Sequence, residues 1–337
     1  MTSRDIDVVG IGNALVDVLS HEADGFVEAQ GLVKGSMTLI DAARALELYE
    51  AMAAGTEVSG GSAANTMVGV ASLGGSAAYI GKVRDDQLGD IFVHDIRALG
   101  VEFDVSRAVN GDPTGRCMIL VTPDGQRTMN TYLGASVTLT PDDVDPALVA
   151  RARAVYLEGY LWDPPQAKDA MRKAAALCDD DQIVSLTLSD SFCVERHHDS
   201  FLDLIATHVD LLFANEHELA ALTREHDDIN TAVASARELV ELAAITRGAA
   251  GSIVVTPDDT IVVPASPVAH RIDTTGAGDL YAAGFLYGLT HGHDLATCGA
   301  LGSLAAAEVI GHIGPRPETD LAELAAPLLS GRAGRVP

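Results

Sequence analysis

Aromatic residues make up only 4% of the 337 positions, and basic residues are outnumbered, 22 Lys and Arg against 48 Asp and Glu, for a formal net charge of −26. A field of that sign repels phosphate backbones and anionic headgroups, so nucleic acid and membrane surfaces are not expected partners. Long apolar runs are missing too: no stretch of about 18 uncharged apolar residues occurs, the length that a membrane-crossing helix needs. The opening MTSRDIDVVGIGNALVDV has no basic region followed by an apolar one, so no secretory address is expected. The four cysteines, Cys117, Cys178, Cys193 and Cys298, form neither a CxxC pair nor a zinc-like Cys/His spacing. Such a chain suits a reducing cytoplasm. Familiar nucleotide motifs are also absent. Gly10-Ile11-Gly12 lacks the third glycine of a dinucleotide fingerprint because position 15 is Leu15, and Gly81-Lys82 has no P-loop glycine in register.

What is present is a 47% hydrophobic content carried mainly by Ala, Val and Leu, together with abundant Gly, which suits helices packed closely on a parallel sheet. Short runs at Ile6 to Ile11, Ala77 to Ile80, Ala154 to Leu157, Ile183 to Leu186, Leu211 to Ala214 and Ile253 to Val255 read as buried strands. Helical patterns lie between most of them, at Ser62 to Leu73, Gln87 to Leu99, Pro165 to Cys178 and Ile229 to Ala243. That alternation predicts one α/β domain over 1–337 built on a doubly wound, mostly parallel sheet. One stretch departs from it. Thr114 to Thr122 and Gln126 to Leu133 read as a hairpin around Pro123-Asp124-Gly125 and, with Ala14 to Ser20 and Met37 to Ile40, predict a small β-sheet lid from about 13–41 and 112–134. The tail Ser330 to Pro337 is expected to fray.

The strongest chemical signal is Asp273-Thr274-Thr275-Gly276-Ala277-Gly278-Asp279, followed at once by a helix of small residues. Gly276 and Gly278 let the backbone turn tightly with its amides exposed, and a helix start adds partial positive charge, so the loop can cradle a phosphate gaining charge in transfer. Asp279 stands beside that position, where a carboxylate can take the proton of an attacking hydroxyl. A second cluster, Gly60-Gly61-Ser62-Ala63-Ala64-Asn65, brings backbone close to a ligand and offers Asn65 to sugar hydroxyls; its plainer reading is a Ser62 N-cap. Asp17 lies among apolar neighbours in VVGIGNALVD and needs hydroxyl partners from protein or ligand. His197-His198 and His291-Gly292-His293 lack the spacing of a zinc site and read as surface or helix-end histidines.

GGSAANT early and DTTGAGD late resemble the two signatures of the PfkB or ribokinase-like sugar and nucleoside kinases, and the resemblance spans nearly the whole chain. Within that family GIGNALVD, TGRCMILVTPDGQRTMNTYLGAS and LSDSFCVERH look most like the adenosine kinase branch. The resemblance implies a Rossmann-like core with a β lid, ATP along the sheet's C-terminal edge and the acceptor between core and lid. It implies Asp17, Gly61 and Asn65 on the acceptor hydroxyls with Asn13 nearby, an anion hole of the Gly276, Ala277 and Gly278 amides, and Asp279 as base. It further implies hydrated Mg²⁺ near Asn215 and Glu218, nucleotide near Thr246-Arg247-Gly248 and Thr275, and a monovalent cation such as K⁺ near Asp273. Asn215 and Glu218 also satisfy a capping box, and Arg247 could simply face solvent. Arg127 on the hairpin is either a phosphate contact on lid closure or a surface arginine. Tyr160 in LEGYLW and Phe192 in LSDSF, each after a predicted strand end, could stack on a purine. The expected activity is therefore phosphorylation of adenosine at its 5′-hydroxyl. A sugar kinase acting on ribose or fructose is the alternative, a noncatalytic sensor of sugar or nucleotide is the rival from another class, and both monomer and homodimer stay open.

Overall fold

In the computed structural model, which describes residues 4–226 and 228–330, the chain opens with β1 (Ile6–Ile11), β2 (Leu15–His21), α1 (Asp24–Ala29), β3 (Met37–Leu39), α2 (Ala42–Ala51) and β4 (Thr56–Gly60). It continues through α3 (Ser62–Ser72), β5 (Ala77–Ile80), α4 (Gln87–Ala98), β6 (Val101–Glu102), β7 (Gly115–Val121), β8 (Arg127–Tyr132), α5 (Pro146–Ala150) and β9 (Ala152–Glu158). The second half holds α6 (Pro165–Ala176), β10 (Ile183–Thr187), α7 (Ser191–His208), β11 (Leu211–Asn215), α8 (Glu216–Thr223), α9 (Ile229–Leu239), β12 (Leu242–Thr246), β13 (Ser252–Val255), β14 (Thr260–Val263), α10 (Ala277–Thr290), α11 (Leu295–Val309) and α12 (Leu321–Leu329). The expected fraying beyond Ser330 lies outside the described residues.

Nine strands form the main sheet in the order β14-β13-β12-β11-β10-β9-β1-β5-β6, all running the same way except β13, which pairs antiparallel with both β12 and β14. The sheet is buried on both faces, which is why its strands read as apolar runs rather than as alternations. On β1, Val9 and Ile11 pack into the layer of α5 to α9, while Val8 points into the layer of α3, α4 and α10 to α12. From β1 the chain winds first to β5 and β6 and then back to β9 and beyond, so strand order reverses beside β1. A doubly wound sheet leaves a crevice outside the strand ends at such a point.

The second sheet has the order β3-β8-β7-β2-β4. Along β7 the side chains alternate: Met118 and Leu120 pack with Val27, Ala45 and Leu48 under α1 and α2, whereas Cys117, Ile119 and Val121 line the opposite face. Two differences from the sequence reading stand out. β4 joins this sheet by pairing with β2, although TEVSG carries too little apolar character to read as a strand by itself. The helix expected to reach Ala243 ends at Leu239, and Leu242 and Ala243 instead align with Leu211 and Leu212 in the sheet. An Ala- and Leu-rich run fits either period, and the open place beside β11 decides it.

Candidate active site

A cavity of about 560 Å³ opens at the carboxyl ends of the parallel strands and reaches under the inner face of the second sheet. That volume suits a small-molecule ligand. Its floor begins just after β1. Asn13 donates through N and Nδ2 to Glu158 Oε1, at 3.2 and 2.8 Å, and its Oδ1 accepts from Ser136 Oγ at 2.9 Å. The other Glu158 oxygen accepts from Ala63 N at 2.8 Å, at the start of α3. Burial pushes the Glu158 carboxyl up to about 7, against the pull of those donated bonds. A Cβ on Gly12 would lie 2.2 Å from Glu158 Oε2, so only glycine permits this approach. Sequence reasoning missed Glu158, although a carboxylate inside the apolar run AVYLEGYLW carries the same signal as Asp17.

Asp17 projects from β2 into the cavity and is only 6% exposed. Burial raises its carboxyl to about 6; Arg316 and Arg127 pull it down and Asp279 pushes it up. Among the described residues no protein group donates a hydrogen bond to it, so the partners that a buried carboxylate requires must come from what fills the cavity.

Asp279 lies in the first turn of α10. Ser62 Oγ donates to its Oδ1 at 2.6 Å and Asn65 Nδ2 to its Oδ2 at 2.9 Å. The two helices that bring these groups together are packed tightly, since a Cβ on Gly69 of α3 would sit 2.6 Å from Ala283 Cβ of α10. Burial raises the Asp279 carboxyl, partly offset by Ser62, Asn65 and the charge of Arg316. Ser62 is thus a partner of Asp279 rather than an N-cap; the cap position of α3 belongs to Gly61. Among the described residues Asn65 keeps Oδ1 buried and without a partner beside the cavity.

Gly276 caps α10 with φ +79, and a Cβ there would meet Pro315 Cα at 2.7 Å. The amide of Ala277 donates back to the Thr274 carbonyl at 3.2 Å. Of the three amides assigned to an anion hole, those of Gly276 and Gly278 therefore remain without an acceptor among the described residues, and the amide of Asp279 joins them. A helix start with free amides is a site for negative charge.

Asp273 Oδ1 accepts from Thr275 N and Oγ1 at 3.1 and 2.8 Å, while Oδ2 accepts from Gly314 N at 3.2 Å. Arg127 approaches the same carboxylate at 2.8 Å and is 7% exposed, so the surface alternative for this hairpin arginine is wrong. The contact is an ion pair without hydrogen-bond alignment, and all three guanidinium nitrogens lack an acceptor among the described residues. Arg127 lies off the cavity lining that Thr275, Gly276 and Gly278 share, and buried donors left open in this way favour an anionic partner.

At the other end of the cavity Asn215 and Glu218 form the capping box of α8. Asn215 Oδ1 accepts from His217 N and Glu218 N, and Glu218 accepts from Asn215 N at 2.9 Å and Nδ2 at 2.7 Å. Burial lifts the Glu218 carboxyl to about 7, with Asp190 and Asp279 adding to the rise. Thr246 lines the cavity, whereas Arg247 is held at 3.0 Å by Glu216 and, like Gly248, lies off the lining. Tyr160 and Phe192 both line it, the latter 69% exposed in the first turn of α7. Leu15, Met37, Leu39, Ile119 and Met129 of the second sheet also face the cavity. The histidine pairs are not on the lining: His197 bonds Asp163 at the cavity's edge, and His291 bonds the Tyr287 carbonyl. No group of three or more His, Cys, Asp or Glu placed to hold a metal occurs among the described residues.

Comparison with known proteins agrees with this fold. A family model described as pfkB family carbohydrate kinase matches residues 31–321. A solved structure of adenosine kinase from Sinorhizobium meliloti is 52% identical, with a TM-score of 0.89 over 96% of this chain and 99% of that one. A probable sugar kinase from Rhizobium etli CFN 42 is 48% identical, with a TM-score of 0.90 over 98% and 99%. Adenosine kinase of Saccharomyces cerevisiae is 28% identical over 91% of this chain and 96% of its own length.

Proposed function

The chain belongs to the pfkB family of carbohydrate kinases and is a phosphotransferase with an alcohol group as acceptor, and we propose that its acceptor is a purine nucleoside, adenosine first, phosphorylated on the 5′-hydroxyl. One observation carries the choice of nucleoside over free sugar. The cavity wall formed by Leu15, Met37, Leu39, Ile119 and Met129 is apolar, and Phe192 and Tyr160 line the same space. A pentose has hydroxyls on every face and gains little from such walls; a purine has two apolar faces to bury. The ribose would lie over Asp17, Asn65 and Asn13, with its hydroxymethyl group at Asp279. Asp279 then accepts the hydroxyl proton as the oxygen attacks, while Ser62 and Asn65 hold the carboxylate in place. The amides of Gly276 and Gly278, together with the open donors of Arg127, suit the charge on the transferring phosphoryl group.

ATP supplies that phosphoryl group when bound, with Mg²⁺ neutralising its charge. The donor set fits an ion held mainly by phosphate and water, since magnesium commonly takes only one or two protein carboxylates. Glu218 fits as such a carboxylate, because burial and the charges of Asp190 and Asp279 push its carboxyl up and a cation would offset that repulsion. Glu218→Gln is therefore expected to raise the Mg²⁺ concentration for half-maximal rate more than it lowers the melting temperature. An unchanged Mg²⁺ titration with a lower melting temperature would leave Glu218 as a helix cap only. A K⁺ ion near Asp273 has less support, because that carboxylate already serves Thr275, Gly314 and Arg127.

The substrate choice is tested by kcat/KM for adenosine, ribose and fructose on wild type and Phe192→Ala. Aromatic stacking is worth roughly 1 to 3 kcal/mol per base, so the substitution is expected to cost adenosine about tenfold or more. Free sugars should change far less. A wild type that prefers a free sugar by about tenfold defeats the nucleoside assignment and favours the sugar kinase reading, for which the 48% identical probable sugar kinase of Rhizobium etli stands.

A further inference from the structure

Arg316 belongs to none of the sequence motifs. It follows Pro315, which packs on Gly276 at the start of α10. Its Nη2 donates to the Ser59 carbonyl at 2.8 Å and to Ser59 Oγ at 3.1 Å, and its Nη1 donates to the Ala64 carbonyl at 3.2 Å. Ser59 ends β4 with Gly60, and Ala64 lies in the first turn of α3, so one guanidinium brackets the turn Gly60-Gly61-Ser62-Ala63 from both ends. This turn has no slack. Gly61 has φ +99, a Cβ on it would lie 2.2 Å from the Asn13 carbonyl oxygen, and a Cβ on Gly60 would lie 2.4 Å from the Asp17 carboxylate. Ser59 is itself held from α4, where Asp95 accepts from its N at 2.7 Å and its Oγ at 2.6 Å. The charge of Arg316 also pulls the Asp17 and Asp279 carboxyls down against burial.

We infer that Arg316 is a positioning residue of the acceptor site: it holds the glycine turn in shape and so sets Asp17, Ser62 and Asn65 in register with Asp279. The inference rests on the kinase reading. Arginine is required by geometry, because a planar fork can reach carbonyls on two segments at once and a single ammonium cannot hold the same plane. The effect falls on the acceptor side of the site, since the bracketed turn touches Asp17 and Asn13 and its Ser62 bonds Asp279, so acceptor KM responds, with kcat free to fall as well, while ATP KM does not.

Steady-state kinetics on full-length Arg316→Lys and Ser59→Ala, with ATP and acceptor varied separately, test it. Expected is a rise in acceptor KM of about tenfold in Arg316→Lys and about threefold in Ser59→Ala, with ATP KM within about twofold of wild type. A merely structural role would lower the active fraction and hence kcat, leaving both KM values alone. An acceptor KM in Arg316→Lys within about twofold of wild type overturns the assignment, as does an equal rise in both KM values. Should Arg316→Lys fail to fold, Ser59→Ala decides by the same criterion. If wild type transfers phosphate to no acceptor, the kinase reading fails separately, and calorimetric titration of adenosine into wild type and both variants decides. Weaker binding in the variants then sustains the role of Arg316, and equal affinity, including none in all three, overturns it.

Discussion

Asp279→Asn is expected to retain the fold and substrate binding while lowering turnover by roughly 10² to 10⁴, equivalent to about 3 to 5 kcal/mol of barrier. The side chain keeps its size, and the packing of α10 on α3 through Gly69 and Ala283 does not involve it. What is lost is the proton acceptor. The two donors that now hold the carboxylate, Ser62 Oγ and Asn65 Nδ2, would meet an amide that offers only one acceptor oxygen. Burial raises the Asp279 carboxyl, so the wild-type rate should fall on the acid side as the base takes up a proton. The variant should lack that limb. Single-turnover measurements across pH, under conditions where chemistry limits the rate, give the answer. A turnover within about threefold of wild type removes Asp279 from the role.

Asp17→Asn should lower kcat/KM for the acceptor by roughly 10- to 150-fold, mostly through KM, because hydrogen bonds to a charged group are worth about 1.5 to 3 kcal/mol. The motive is a carboxylate buried in the cavity wall that receives no bond from the protein among the described residues. If it holds ribose hydroxyls, an acceptor lacking one of them loses affinity on wild type and loses little more on the variant. Additive losses would show that Asp17 and that hydroxyl do not meet. The carboxyl is raised to about 6 by burial, with Arg316 and Arg127 pulling it down and Asp279 pushing it up. Its charged form, the better acceptor, therefore prevails above about 6, and wild-type acceptor KM should climb as pH falls through that value. Asp17→Asn should show no such climb.

Legibility followed distance along the chain. DTTGAGD before a helix of small residues could be read directly, because a glycine turn, free amides and a carboxylate in the first turn are all local properties. Asp17 was legible for a different reason: a charge amid apolar neighbours must find partners somewhere. Glu158 met the same condition in AVYLEGYLW and was overlooked. The capping box of Asn215 and Glu218 was visible as a pattern, but the pattern alone did not say that the same carboxylate borders the cavity.

The sequence by itself determined the doubly wound class of the main sheet, the hairpin of the second sheet and the anion-binding turn, since each depends on periodicity or turn chemistry within a short window. It also determined the family, through two strings whose residue types answer to phosphate and hydroxyl chemistry. Only the tertiary structure decided which distant groups meet. Asn65 and Asp279 are 214 residues apart, Asn13 and Glu158 are 145 apart, and Arg316 and Ala64 are 252 apart. No local pattern encodes such pairs, because they depend on strand order, on the close crossing of α3 and α10 and on which face each strand end presents. The same holds for β4 and for Leu242 and Ala243, whose extended form is set by the partner strand beside them rather than by their own weak preference.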